Sequence, residues 1–357
     1  MGEFAAAGAW PGVLRRLLDG DDLDGAVCAA VLERILAGEA TDAQIAAFVV
    51  GLRIKGETPG EVSGLVDAML AAAAPLPLDD PDRVVDVVGT GGSTALGGQA
   101  FNVSTTASIV AASAGAVVCK HGNRAASSTS GSTDLLEALG VVVDLDGPAV
   151  AACVRETGVG FAFARMFHPA MRHVAPVRAQ LGVPTVFNVL GPLSHPGRLR
   201  RQVVGVADPR LLDLVAGVLA RRGAIHAWVV RGDDGLDEIT TTTSTQVVEV
   251  RDGTVVGRFE VAPGEVGLAT ATTEQLAVGD PAANAAAARR VLAGEAGPVR
   301  DTVVLNAAAA LVVAGVAPAL SDGAEHAAAA IDSGAAERTL TSLVETSMRL
   351  RPPSTGS

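Results

Sequence analysis

The segment Val84 to Glu137 restricts the possible folds of this chain more than any other. A β-branched run, Val84, Val85, Val87 and Val88, ends in Gly89-Thr90-Gly91-Gly92, and Asn102-Val103-Ser104-Thr105 then opens an alanine-rich helical stretch. Strand, glycine loop and helix start in that order put backbone N–H groups and hydroxyls at one sheet edge, as a bound polyphosphate requires. A second apolar run, Ala116 to Cys119, delivers Lys120-His121-Gly122-Asn123-Arg124 and a serine-rich turn to the next loop.

From Arg83 onward apolar runs alternate with helical patterns. Strands are expected over 84–88, 116–119, 159–164, 201–206 and 226–231, with helices over 133–139, 148–157 and 209–222. The alternation predicts a mainly parallel sheet covered on both faces. Asp252-Gly253, between Val247-Val250 and Val255-Val256, predicts an antiparallel hairpin late in that sheet. Three alanine-rich helical segments are expected to close the chain, one opened by Asp280-Pro281, then 298–315 and 321–350.

Ahead of the sheet, Thr41 with Gln44, and Thr58 with Pro59 and Glu61, have the spacing of capping boxes. Ile45, Phe48, Val49 and Leu52, then Val62, Leu65, Val66 and Met69, fall at helical spacing and read as core stripes without chemistry. Pro75-Leu76-Pro77 and Asp79-Asp80-Pro81-Asp82 form a linker. The expected architecture is α/β: a small all-helical N-terminal domain, 1–78, a larger α/β domain with a mainly parallel central sheet, 79–350, and a disordered tail, 351–357.

A net charge of -12 argues against nucleic acid or an anionic membrane as the main partner, so a phosphate site must be local. The greasiest stretch, Val303 to Leu320, is interrupted by Asn306 and Pro318, and Glu3 stands where a secretory signal would carry positive charge. Cys28, Cys119 and Cys153 are odd in number and set in apolar surroundings, which reads as buried thiols in a reducing compartment. A soluble, cytoplasmic protein is expected.

Taken singly, the motifs leave alternatives open. Gly-Thr-Gly-Gly after a strand suits a tight turn as well as a phosphate, and the spacing fits neither a dinucleotide fingerprint nor a P-loop. Lys120 to Arg124 sets a histidine and an asparagine between cations at a strand end, which suits an anion carrying hydrogen-bonding groups better than a solvated loop. Ser127, Ser128, Ser130 and Ser132 precede a helix, where one can be an N-cap and the others phosphate ligands. Asp237-Glu238 is either a solvated loop pair or, at a strand end of the same sheet, a holder of Mg²⁺ together with substrate phosphates. In His168 to Leu181, Ala170, Val174, Val177 and Leu181 mark a packed helical face. Arg178 lies off that face, as a surface ion pair or a carboxylate clamp.

Together, Gly89 to Gly92, Asn102 to Thr105, Lys120 to Arg124, His168 to Arg178, Phe187-Asn188-Val189-Leu190-Gly191-Pro192-Leu193, Asp234 to Glu238 and Val304-Leu305-Asn306-Ala307-Ala308 resemble the anthranilate phosphoribosyltransferase family, in order, from about residue 10 to 350. The resemblance implies a nucleoside phosphorylase-like fold in which about 166–183 joins the N-terminal helices. It implies transfer of phosphoribose from phosphoribosyl pyrophosphate to anthranilate with Mg²⁺, the second step of tryptophan biosynthesis, usually in a homodimer contacting through the helical domain. It further implies a donor site of Gly89, Gly92, Ser93, Asn102, Val103, Ser104, Thr105, Lys120, His121, Gly122, Asn123, Arg124, Ala125, Ala126, Ser127, Ser128 and Ser132. The acceptor would meet Gly89, His121, Asn123, His168, Met171 and Arg178, and the metal Ser104, Asp237 and Glu238. No side-chain nucleophile is implied.

The chain departs from the family at Ser93 and Ala100, where aspartate and threonine are usual, and the loop between Gly92 and Asn102 is longer and rich in glycine. Such a loop also suits a relative that ribosylates another aromatic acid, or a non-catalytic one.

Overall fold

The structure, a computed structural model, describes residues 2–93, 95–125 and 129–352. Its N-terminal unit comprises α1 (Glu3–Ala6), α2 (Ala9–Leu18), α3 (Gly25–Leu36), α4 (Asp42–Lys55) and α5 (Pro59–Ala71). Both capping boxes form. Gln44 N–H donates to the Thr41 hydroxyl at 3.3 Å while Thr41 N–H donates to Gln44 Oε1 at 2.9 Å, and Thr58 and Glu61 repeat the exchange. Helices α3 and α5 cross at glycines, since a Cβ on Gly64 would stand 1.9 Å from the Gly25 carbonyl oxygen.

Glu61 does more than cap. Fully buried, it accepts from Leu23 N–H at 2.8 Å and from Lys55 Nζ at 2.9 Å, tying three segments together. Removing it leaves the Leu23 and Thr58 N–H groups without their acceptor and takes from the Lys55 ammonium one of three partners, the others being Asp22 at 2.7 Å and the Gly56 carbonyl at 2.8 Å. Glu61→Ala is therefore expected to cost about 2–4 kcal/mol, read as a lower urea midpoint at unchanged slope.

The sheet follows as β1 (Val84–Gly89), α6 (Val103–Ser113), β2 (Val117–Gly122), α7 (Ser132–Leu139), α8 (Gly147–Thr157) and β3 (Val159–Phe163). The chain then runs through α9 (Ala164–Phe167), α10 (Ala175–Leu181) and α11 (Val186–Leu193) before β4 (Arg201–Gly205), α12 (Leu211–Arg221) and β5 (His226–Gly232). The hairpin β6 (Thr245–Arg251) and β7 (Thr254–Val261) turns at Asp252 and Gly253, whose φ values of 46° and 72° suit the tight turn that joins right-twisted strands. Helices α13 (Pro281–Leu292), α14 (Pro298–Ala314), α15 (Leu320–Asp332) and α16 (Ala335–Arg349) complete the chain.

Strand order is β3-β2-β1-β4-β5-β6-β7, parallel from β3 to β5 and antiparallel thereafter. Successive strands step from β1 out to β3, and the chain then returns to the other side of β1. The carboxyl end of β1 thus lies at a topological switch point, where open α/β sheets bind ligands. One sheet face packs on α6, α8 and the C-terminal helices. The other, through Val88, Val204 and Val229, shares a core with the N-terminal helices, α10, α11 and α12. Val174 and Val177 lie in that second core, so the segment before α11 packs on the N-terminal helices. The apolar stretch from Val303 is α14, buried almost all round as a core helix. No helix among the described residues is long and apolar enough to cross a membrane.

Four local expectations change. The segment 321–350 is two helices, because Gly334 turns the chain at φ 72°. The stretch from His168 starts as a 3-10 turn, Pro169–His173, and becomes α-helical only at Ala175. Strand β2 runs on through Lys120 and His121 to Gly122, held in register with Phe161, Ala162 and Phe163 of β3. The N-cap of α7 is Gly131 rather than a serine, its N–H donating to Asp134 Oδ2 at 2.9 Å. Residues 353–357 of the expected tail lie outside the described residues.

Candidate functional site

A cavity of about 360 Å³ opens where β1, β2 and the loop after β5 end. It is lined by Gly89, Gly92, Ser93, Asn102, Ser104 and Thr105 from the first loop and helix start, and by Lys120, His121, Gly122, Asn123, Arg124, Ala125 and Ser132 from the second. Arg178 of α10 and Asp237 and Glu238 complete the expected set. Val103 points into the core, while His168 and Met171 stand behind the wall. Ala126, Ser127 and Ser128 lie outside the described residues.

Two glycines let the acidic loop descend onto the strand ends. A Cβ on Gly89 would lie 2.4 Å from Asp237 Oδ2, and one on Gly205, its register partner on β4, 1.7 Å from the Asp237 carbonyl oxygen. Gly91 N–H donates to Asp237 Oδ2 at 2.7 Å, and Ser104 N–H reaches Glu238 Oε1 at 3.4 Å. From α14, buried Asn306 accepts from Ile239 N–H at 3.1 Å and donates to its carbonyl at 2.7 Å, fixing the loop from below. Burial raises both carboxyl pKa values, and the neighbouring Asp237 charge raises that of Glu238 further. Such a pair gains when a cation arrives.

Lys120 Nζ donates to the Val87 carbonyl and feels Asp86, Glu238 and Asp237, while burial lowers its pKa. Asp86 is buried at the centre of β1, its Oδ1 accepting from His121 N–H at 3.0 Å. Burial lifts it to about 7, against the lowering pull of Lys120. The folded chain therefore holds a proton that the unfolded chain releases near its ordinary carboxylate pKa, and this stability is lost as pH rises toward 7. The stability of the wild type minus that of Asp86→Asn, from urea melts, is expected to fall by about 2–3 kcal/mol between pH 5 and pH 8.

His121 packs against His168 and His195, with ring centroids 5.4 and 5.5 Å away. Its Nδ1 donates to the Gly191 carbonyl at 3.0 Å, which leaves Nε2 as a buried acceptor with no partner among the described residues. Burial keeps all three rings neutral, His121 well below the usual histidine range, His168 at about 4 and His195 at about 3.

Not every lining cation or amide is available. Arg124 is held by both Glu137 oxygens at 2.6 and 2.7 Å and by Asp134 at 3.1 Å. Asn102 spends its side chain on Ser130, and its N–H donates to Asn284 Oδ1 at 2.9 Å. The Ser93 hydroxyl donates to the Gly235 carbonyl at 3.0 Å, joining the glycine loop to the acidic loop. By contrast, no described residue pairs with the half-buried Arg178 guanidinium, whose pKa burial lowers.

The sequence assigned no role to Gly205, Asn284, Asn306 or Asp86. For Asp86 the signal was a carboxylate inside an apolar strand run, and for Gly205 a glycine at a strand end. Asn306 stood in a quoted motif, but only the packing of α14 on the loop reveals its use.

The chain matches the glycosyl transferase family helical bundle domain over residues 11–73 and the a/b domain of that family over 81–337. It is 51% identical over 336 residues to the anthranilate phosphoribosyltransferase of Rhodococcus jostii, covering 92% of this chain and 91% of the relative. With that of Salinispora arenicola it shares 51% over 350 residues, covering 96% and 98%. The crystal structure of the Thermus thermophilus enzyme superposes with a TM-score of 0.88 at 43% identity, over 94% of this chain and 99% of that one. The Saccharomyces cerevisiae enzyme in complex with PRPP and Mg gives 0.86 at 28%, over 95% and 98%. Matched in both its helical and its α/β part, the chain belongs to the anthranilate phosphoribosyltransferase family of glycosyl transferases.

Proposed function

We propose that the chain transfers the 5-phosphoribosyl group of phosphoribosyl pyrophosphate to the amine of anthranilate, releasing pyrophosphate. The observation that carries this reading is one cavity joining a glycine loop and helix start, a buried lysine beside two half-buried carboxylates, and an arginine without a protein partner among the described residues. Relatives named anthranilate phosphoribosyltransferase at 51% identity support the substrate pair.

In this reading the Gly92 and Thr105 N–H groups, which unlike those of Gly91 and Ser104 have no partner among the described residues, receive the donor phosphates. Lys120 balances charge as the bond between the anomeric carbon and pyrophosphate breaks. Arg178 takes the acceptor carboxylate and Asn123 helps aim the amine at that carbon. An aromatic amine is already uncharged near neutral pH, so a strong base is not needed. The His121 Nε2 lone pair is a neutral acceptor beside its path.

Ser104, Asp237 and Glu238 would hold Mg²⁺, and their chemistry fits: two half-buried carboxylates whose charge is otherwise disfavoured, beside space for substrate oxygens. Bound there, the ion would neutralise pyrophosphate as it leaves. We extend the proposal to a homodimer contacting through the helical unit and to the cytoplasm, where three buried free cysteines are at home.

The test mixes the protein with anthranilate, phosphoribosyl pyrophosphate and Mg²⁺ and follows the loss of anthranilate fluorescence. Steady loss that needs all three is expected. Turnover only with a different aminobenzoate would overturn the acceptor assignment.

A further inference from the structure

We propose that a second cavity, of about 160 Å³, behind the histidine wall binds a small oxyanion of the phosphate class. Arg198, Arg200 and Arg222 line it with buried His195 and Gln202, between leucine side chains. Two of the guanidiniums are partly compensated. Arg200 reaches Asp82 at 3.1 Å and Arg222 reaches Asp67 at 2.6 Å. Arg198 has only the Leu70 carbonyl, at 3.3 Å, among the described residues. Three cations against two carboxylates leave local positive charge in a chain of net charge -12. Guanidiniums around so small a space suit an anion whose several oxygens accept at once.

The backbone gives an independent reason. Arg198 sits at φ 54°, in the left-handed region that glycine prefers, in a turn closed by its own N–H to the His195 carbonyl at 2.8 Å. A long cationic residue held in that conformation points to a use for its side chain. The cavity also backs directly onto the substrate site. His195 bonds the Cys119 carbonyl at 2.9 Å and packs on His121, while Gln202 donates to the carbonyl of Pro192, which lines the other cavity, at 3.0 Å.

The site rests on residues outside the transferase machinery, so absence of turnover would leave it standing. Its test is equilibrium dialysis of labelled inorganic phosphate against the full chain at low ionic strength, for wild type, Arg198→Ala and Arg198→Gly. The wild type is expected to bind one equivalent that both variants lose or hold at least ~10-fold more weakly, with any phosphate in the substrate cavity bound equally by all three. Arg198→Gly is expected to be no less stable than wild type, because glycine adopts this φ freely. Identical phosphate isotherms for the three proteins would overturn the proposal. A lower melting temperature of Arg198→Gly with phosphate binding intact would do so too, by making Arg198 a structural residue only.

Discussion

Replacing Asp237 with asparagine and Glu238 with glutamine together is expected to lower kcat at least ~10³-fold at saturating Mg²⁺, with the fold intact. Both side chains line the cavity half-buried, yet the loop that carries them is held by other groups: Asn306 on Ile239, and the glycines at 89 and 205 beneath. Amide oxygens can still accept from Gly91 and Ser104 N–H, so the loop keeps its hydrogen bonds while losing two negative charges. The loss should therefore be electrostatic. Burial raises both carboxyl pKa values, so a cation entering the free protein must displace protons, and Mg²⁺-dependent donor binding in the wild type should strengthen as pH rises. Calorimetry of donor binding against pH, beside kcat against Mg²⁺ concentration, checks both. Full activity in the double variant would mean that the metal is held elsewhere.

Arg178→Ala is expected to cut kcat/KM for the acceptor about 10²-fold while leaving the KM for the donor essentially unchanged. A charge-assisted hydrogen-bonded pair is worth about 1.5–3 kcal/mol, and about 1.36 kcal/mol is tenfold. The guanidinium has no protein partner among the described residues, so its removal should leave no orphaned carboxylate and little loss of stability. Arg178→Lys should recover only part of the activity, since a point charge does not reproduce a planar two-pronged contact. An equal rise in the KM values of donor and acceptor would argue for a distorted cavity instead.

Much of this molecule was legible in the chain. The capping boxes at Thr41 and Thr58 formed as their spacing required, because a cap is a contact within one turn. Five parallel strands and a late hairpin followed from alternation and from Asp252-Gly253. The Lys120-His121 pair was misjudged as loop, because polar residues in a strand interior are read as its end. Here buried partners, Val87 and Gly191 carbonyls, make their burial tolerable. The single helix expected over 321–350 split at Gly334, which sits at φ 72° between α15 and α16, a conformation that glycine adopts freely.

By itself the sequence determined which chemical groups reach the carboxyl ends of the strands, since glycine loops, caps and apolar periodicity act between near neighbours. Only the tertiary structure decided which of those groups remain free to act. Arg124 and Asn102 are occupied by partners within the fold, whereas Arg178, remote in sequence, arrives in the cavity with no partner among the described residues. The physical reason is that hydrogen-bond satisfaction is settled between segments far apart in the chain, where Gly205, Asn284 and Asn306 supply the contacts.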